Sequence, residues 1–136
     1  MGEGLQRTLS AMRALVADDN PVFRDVAAAQ LRMLGFEVAT AKDGAEAMIA
    51  IETSGDFDLL VVDWQMGPPD GEALIQLVRS RPSTQQTCIC LWTATPTQER
   101  RDIAIAKGAN AVLPKPVGLR ELAMHLALLG IRPLNG

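Results

Sequence analysis

Histidine and cysteine are scarce in this 136-residue chain: His125 stands alone, and the only thiols are Cys88 and Cys90. With no further Cys or His pair, the usual four nitrogen and sulfur ligands of a zinc site are not assembled. The two cysteines lie two apart in a run that reads as a strand. Their backbones would stand about 6.6 Å apart there, a poor disulfide geometry, so both are expected to be small buried apolar residues. No apolar run approaches the ~20 residues that span a bilayer. The segment Met1–Ser10 lacks the apolar core of a secretion signal, so a cytoplasmic location with no membrane partner is expected. A net charge of −3 gives no electrostatic reason to expect nucleic acid as a partner.

What is present is ordinary for a globular domain: 48% apolar and 21% charged residues, in a length natural for one domain. The expected division is a polar N-terminal extension over 1–11, one domain over 12–130 and a short C-terminal tail over 131–136. Within the domain, short β-branched runs alternate with stretches of helical period. Met12–Asp19 is a strand running into Asn20-Pro21, a helix cap followed by proline at the first helical position. Phe23, Ala27, Leu31 and Leu34 continue at helical spacing until Gly35. Glu37–Ala41 is a second strand, and Asp43-Gly44 opens a helix with an expected apolar stripe of Ala45, Met48, Ile49 and Ala50.

Leu59–Val62 is continuously apolar, as in a strand covered on both faces. The third helix carries Leu74, Leu77 and Val78 and stops before Pro82. Thr87–Ala94 is a fourth strand, and a polar helix from Pro96-Thr97 to Gly108 follows it. Ala111–Pro114 is the fifth strand, before a helix burying Leu119, Leu122, Ala123, Leu126 and Leu129. Such a (βα)5 chain predicts an α/β fold, a doubly wound parallel five-stranded sheet with helices on both faces. Ligand sites of these folds lie at the carboxyl ends of the strands.

Those ends carry Asp18 and Asp19 after strand one, Asp63 after strand three, Thr93 after strand four and Lys115-Pro116 after strand five. If strands one, three, four and five are neighbours, the three acids adjoin, Thr93 flanks Asp63, and Lys115 lies roughly 10 Å away, within reach of a lysine side chain. Three crowded carboxylates repel unless protonated or sharing a cation. An all-oxygen cluster suits Mg²⁺ (or Mn²⁺). A carboxylate beside such a cation can accept a phosphoryl group, with the lysine and threonine stabilising the transferring oxygens. The residues alone do not say which aspartate is the acceptor.

The order Asp-Asp, Asp, Thr-Ala, Lys-Pro resembles the response-regulator receiver family. The likeness extends to Asp63-Trp64-Gln65-Met66, to Asp70-Gly71 and to Gly108-Ala109-Asn110-Ala111, and spans about Met12 to Leu129. The resemblance implies a flavodoxin-like strand order 2-1-3-4-5 and Asp63 as the phosphoacceptor. It implies Mg²⁺ held by Asp18, Asp19, Asp63 and the backbone carbonyl of Gln65. Thr93 and Lys115 would bind the phosphoryl group and act in the switch, the Lys115–Pro116 bond would be cis, and Gln65 and Thr95 would tune phosphoryl lifetime. Partners would be a sensor histidine kinase or histidine phosphotransfer protein and an unknown downstream protein, the chain being a monomer or weak homodimer of the chemotaxis-type single-domain kind. It would be a signalling module of a two-component or phosphorelay system and not an enzyme.

Two features depart from the pattern. Val112 stands where an aromatic switch residue is common, and Gly67 precedes Pro68-Pro69 where a proline usually follows Met66 directly. A degenerate receiver acting as a constitutive protein-binding module is one alternative. A phosphohydrolase with an aspartyl nucleophile is another, but Gln65 stands where its acid–base carboxylate would be. A nucleotide or flavin binder would want a glycine-rich cradle in place of Asp18-Asp19-Asn20-Pro21. Trp64 and Trp92 are expected to be packing residues, and Glu99–Asp102 a solvated helix face that could also serve output.

Overall fold

The computed structural model describes residues 12–131; the extension over 1–11 and most of the tail lie outside them. Five parallel strands form one sheet in the order β2-β1-β3-β4-β5. The strands are β1 (Arg13–Ala17), β2 (Glu37–Ala41), β3 (Leu59–Asp63), β4 (Cys88–Thr93) and β5 (Ala111–Pro114). The helices are α1 (Pro21–Met33), α2 (Gly44–Ser54), α3 (Gly71–Ser80), α4 (Gln98–Lys107) and α5 (Leu119–Leu128), with a single 3₁₀ turn at Pro82–Thr84. The expected flavodoxin-like α/β architecture is the observed one.

Alternate residues of the strands feed two cores, because successive side chains of a strand point to opposite faces. Ala14, Val16, Leu59, Val61, Cys90, Trp92 and Leu113 pack with Ala27 and Leu31 of α1 and Leu122 and Leu126 of α5. Leu15, Ala17, Leu60, Val62, Ile89, Leu91 and Val112 pack with Ala47 and Ile51 of α2, Leu74, Ile75 and Val78 of α3, and Ala104 of α4. Every residue of β3 and β4 is buried, as central strands covered on both faces require.

Helix starts follow local chemistry. The Asn20 side chain accepts from the N–H groups of Val22 and Phe23, and Asp43, Asp70 and Thr97 cap α2, α3 and α4 in the same way. Gly35 and Gly108 end α1 and α4 with φ of 102° and 118°, a region open to glycine. Cys88 and Cys90 are free and buried, as expected.

Two helix faces differ from expectation. In α2, Ala45 and Ile49 are exposed, and Gly44, Ala47 and Ile51 face the core. The segment is apolar nearly all round, so periodicity could not choose the face. The choice is made at Gly44, where an added Cβ would collide with the Pro69 carbonyl oxygen. In α3, Ile75 is buried and Leu77 is 42% exposed, again because two adjacent faces are apolar.

At the edge opposite the strand ends of interest, Arg79 of α3 donates to the carbonyls of Gly108 (2.9 Å), Thr87 (2.6 Å) and Gln85 (2.8 Å) and to Asn110 Oδ1 (2.7 Å). Asn110 Oδ1 also accepts from the Ile89 N–H at 2.8 Å. This staple gives Asn110 its structural role before β5.

Candidate functional site

Sheet hydrogen bonding runs one residue past the strands and fixes the backbone from which the polar side chains project. Asp18 N donates to Ala41 O at 3.1 Å, Trp64 N to Trp92 O at 3.2 Å, and Lys115 N to Thr93 O at 3.0 Å. Strand order 2-1-3-4-5 therefore brings Asp18, Asp63, Thr93 and Lys115 to one edge. They and their neighbours surround a cleft of about 410 Å³, lined by Asp19, Asn20, Phe23, Asp63, Trp64, Gln65, Thr93, Ala94, Thr95, Arg100 and Lys115.

Asp18 is fully buried, and Asp63 and Thr93 are each 4% exposed, whereas Asp19 is exposed. Carboxylate oxygens of Asp18, Asp19 and Asp63 all lie within 4.8 Å of one another. Such buried charge is costly without compensation. Lys115 supplies part of it: Nζ lies 2.8 Å from Asp18 Oδ2 and 2.9 Å from Asp63 Oδ1. The ammonium also sits 4.8 Å from the Phe23 ring and 5.2 Å from the Trp92 ring, and these two rings meet edge-on at 6.0 Å. The contact of Lys115 with Asp18 was not anticipated, since spacing alone placed the lysine only against Asp63.

Asp18 Oδ1 accepts from the Asn20 N–H at 2.8 Å, so both of its oxygens are engaged by the protein. Burial pushes the Asp63 carboxyl up from 3.8 to about 6, against the hydrogen bond from Lys115, and the neighbouring Asp18 charge adds to the rise. One lysine thus leaves the three acids under-compensated. Their all-oxygen donor set fits a hard divalent cation such as Mg²⁺.

Cis peptide bonds occur at Pro68–Pro69, in the loop after β3, and at Lys115–Pro116, after β5, the latter as expected. Gly71 packs so closely that an added Cβ would lie 2.5 Å from the Asp63 carbonyl oxygen and 3.0 Å from Trp64 Cα. The Gln65 N–H faces Asp63 Oδ1 at 3.4 Å. Thr93 Oγ1 accepts from the Thr95 N–H at 3.2 Å. Val112 is buried among aliphatic side chains and away from the cleft lining.

Sequence reasoning missed Phe23, which flanks Lys115, and Arg100, which donates to Thr93 Oγ1 at 3.2 Å and lies over the Trp64 ring at 5.4 Å. The helix-face expectation for Glu99–Asp102 fails at two residues, since Arg101 also turns inward to the Val112 carbonyl at 3.1 Å. Only Phe23's place one turn after the acidic pair could have signalled its role. The expectation that both tryptophans are packing residues holds for Trp92, buried in the core, while Trp64 is partly buried and lines the cleft.

The model of the response regulator receiver domain matches residues 14–127. Among curated proteins, the chain is 33% identical over 117 residues to the sensor protein EvgS of Escherichia coli K12, covering 85% of this chain and 9% of that protein. It is 30% identical over 116 residues to a gliding motility regulatory protein of Myxococcus xanthus, covering 85% of this chain and 15% of that one. The chain therefore spans a small part of these relatives. Among solved structures, the chemotaxis response regulator CheY4 of Vibrio cholerae aligns with a TM-score of 0.82 at 28% identity, covering 88% of this chain and 99% of that one. The receiver domain of sensor histidine kinase PA1611 from Pseudomonas aeruginosa, with a magnesium ion coordinated in its active site cleft, aligns with a TM-score of 0.79 at 28% identity, covering 88% and 97%.

Proposed function

Since the chain belongs to the response regulator receiver domain family, a phosphoacceptor signalling module of two-component systems, we propose that Asp63 is the residue that takes the phosphoryl group. The observation that carries this is its burial at the end of the central strand β3, with Lys115 at 2.9 Å and Asp18 and Asp19 completing an oxygen cluster within 4.8 Å. Asp18, Asp19 and Asp63, with the Gln65 carbonyl, would hold Mg²⁺. What that ion supplies when bound is neutralisation of the acids and of the transferring oxygens.

The chain's own residues do the rest. A carboxylate oxygen of Asp63 attacks phosphorus; the O–P bond forms as the P–N bond of a phosphohistidine donor breaks, and the imidazole leaves with the electron pair. Lys115, already on Asp63, moves its hydrogen bond to a phosphoryl oxygen, and the Thr93 hydroxyl donates to another. Gln65 and Thr95 line the cleft where water must approach, so they set how long the acyl phosphate lasts. Phosphorylation adds roughly 1.5 to 2 negative charges beside Thr93 and Lys115, which biases β4 and α4 toward a different binding face.

The donor is a sensor histidine kinase or a histidine phosphotransfer protein, and the output is a protein–protein contact. We place this receiver domain, residues 12–130, in the cytoplasm, where a chemotaxis-type response regulator offers one functional likeness. Among the described residues no helix is long and apolar enough to cross a membrane.

The test is intact mass after incubation with Mg²⁺ and acetyl phosphate. One added phosphoryl group is expected on the native chain and none on Asp63→Asn. Labelling that survives the substitution would sink the assignment, and absence of labelling in both would leave a degenerate receiver.

A further inference from the structure

Arg100 is a cleft cation to which the phosphoryl-transfer chemistry assigns no part. It sits in the first turn of α4, its N–H bonded to the capping Thr97 hydroxyl at 3.2 Å, where the helix macrodipole disfavours a positive charge. Its side chain is partly buried and folds back over the β4–α4 connection onto Thr93 Oγ1 and the Trp64 ring. Among the described residues the ion pairs are made by Lys42, Arg81 and Lys115, so Arg100 has no carboxylate partner. It is thus a cation placed against its own helix dipole and in no direct ion pair, lining a cleft in which Asp18, Asp19 and Asp63 outnumber Lys115.

We propose that Arg100 binds the phosphoryl group once it is on Asp63 and so couples the site to α4; this rests on the reading of Asp63 as the acceptor. A guanidinium offers five N–H donors in a rigid fork that matches phosphoryl oxygens, and only one bond, to Thr93, engages it within the described residues. Thr93 Oγ1 accepts from both Arg100 and the Thr95 N–H and lies 3.5 Å from Thr95 Oγ1, so its own proton has only that weak contact to leave when it turns to the same phosphoryl group. The adjacent Arg101 ties α4 to the Val112 carbonyl. A pull on Arg100 is thereby passed to the β5 position where no aromatic is present.

Calorimetric titration with beryllofluoride, a mimic of the phosphoryl group, at saturating Mg²⁺ tests this. Arg100→Ala should weaken the mimic about tenfold, the scale of one lost charge-assisted hydrogen bond, and Arg100→Lys should recover part of that loss. Mg²⁺ affinity measured without the mimic should be unchanged or tighter in Arg100→Ala, since a cation beside the acids has been removed. A mimic affinity indistinguishable from the native protein overturns the proposal, as does a parallel loss of Mg²⁺ affinity, which would mark Arg100 as merely structural. Failure of the native chain to take up a phosphoryl group by intact mass overturns the Asp63 reading instead, and this inference with it.

Discussion

Asp63 carries a cost that its function requires. A carboxylate at the end of an apolar strand loses its hydration, and Asp18 beside it adds repulsion that Lys115 only partly offsets. In the folded protein its pKa is raised to about 6, above the unfolded value of 3.8. The native state therefore binds more protons than the unfolded chain between these values, and its stability falls as pH rises through that window. Without divalent cations, Asp63→Asn should be the more stable protein at pH 7.5, by on the order of 2–3 kcal/mol, and the difference should vanish toward pH 3.5. Urea unfolding of both proteins across this range checks it. An Asp63→Asn protein less stable than the native one at pH 7.5 would show that the Lys115 pair, not burial, dominates.

Among the elements, the loop from β3 to α3 is the one whose shape the site depends on most directly. Gly71 opens α3 against the Asp63 carbonyl and Trp64 Cα, so a side chain there must move the backbone that carries the acceptor. Helix propensity favours alanine over glycine by about 1 kcal/mol, but a clash with backbone atoms outweighs it. Gly71→Ala should destabilise the fold by about 1–3 kcal/mol and weaken Mg²⁺ binding, measured by urea unfolding and by titration of Trp64 fluorescence. Stability equal to or above that of the native chain would show that the loop yields freely. Helix α4 differs from the others in presenting two arginines inward, which spacing and polarity alone assigned to solvent.

At the scale of the whole molecule, the fold collects charge from four separated segments and leaves an excess of acid at one edge. A cation that binds only the folded state must then stabilise all of it. Mg²⁺ at a hundred times its dissociation constant should add about 2.7 kcal/mol to unfolding, visible as a raised thermal midpoint. Asp19 is exposed, so Asp19→Asn should cost little stability in chelator while shrinking the Mg²⁺-dependent gain. An equal gain in that variant would remove Asp19 from the ligand set. Thermal scans of both proteins with and without Mg²⁺ separate these outcomes.

The strands and most helix boundaries were legible in the sequence because they are written locally: apolar runs, the cap Asn20, the helix openings at Asp43-Gly44 and Pro96-Thr97, and the stops Gly35 and Gly108. So was the acid, hydroxyl and lysine set, since each member closes a strand and parallel sheets align those ends. The buried faces of α2 and α3 were decided only on packing, where Gly44 against Pro69 and Ile75 in the core settle what an all-round apolar pattern leaves open. Tertiary structure alone also joined Lys115 to Asp18 and brought Phe23 and Arg100 into the cleft. Side-chain reach across strands has no period in the sequence, and a long flexible cation shows its partner only once the backbone has placed them together.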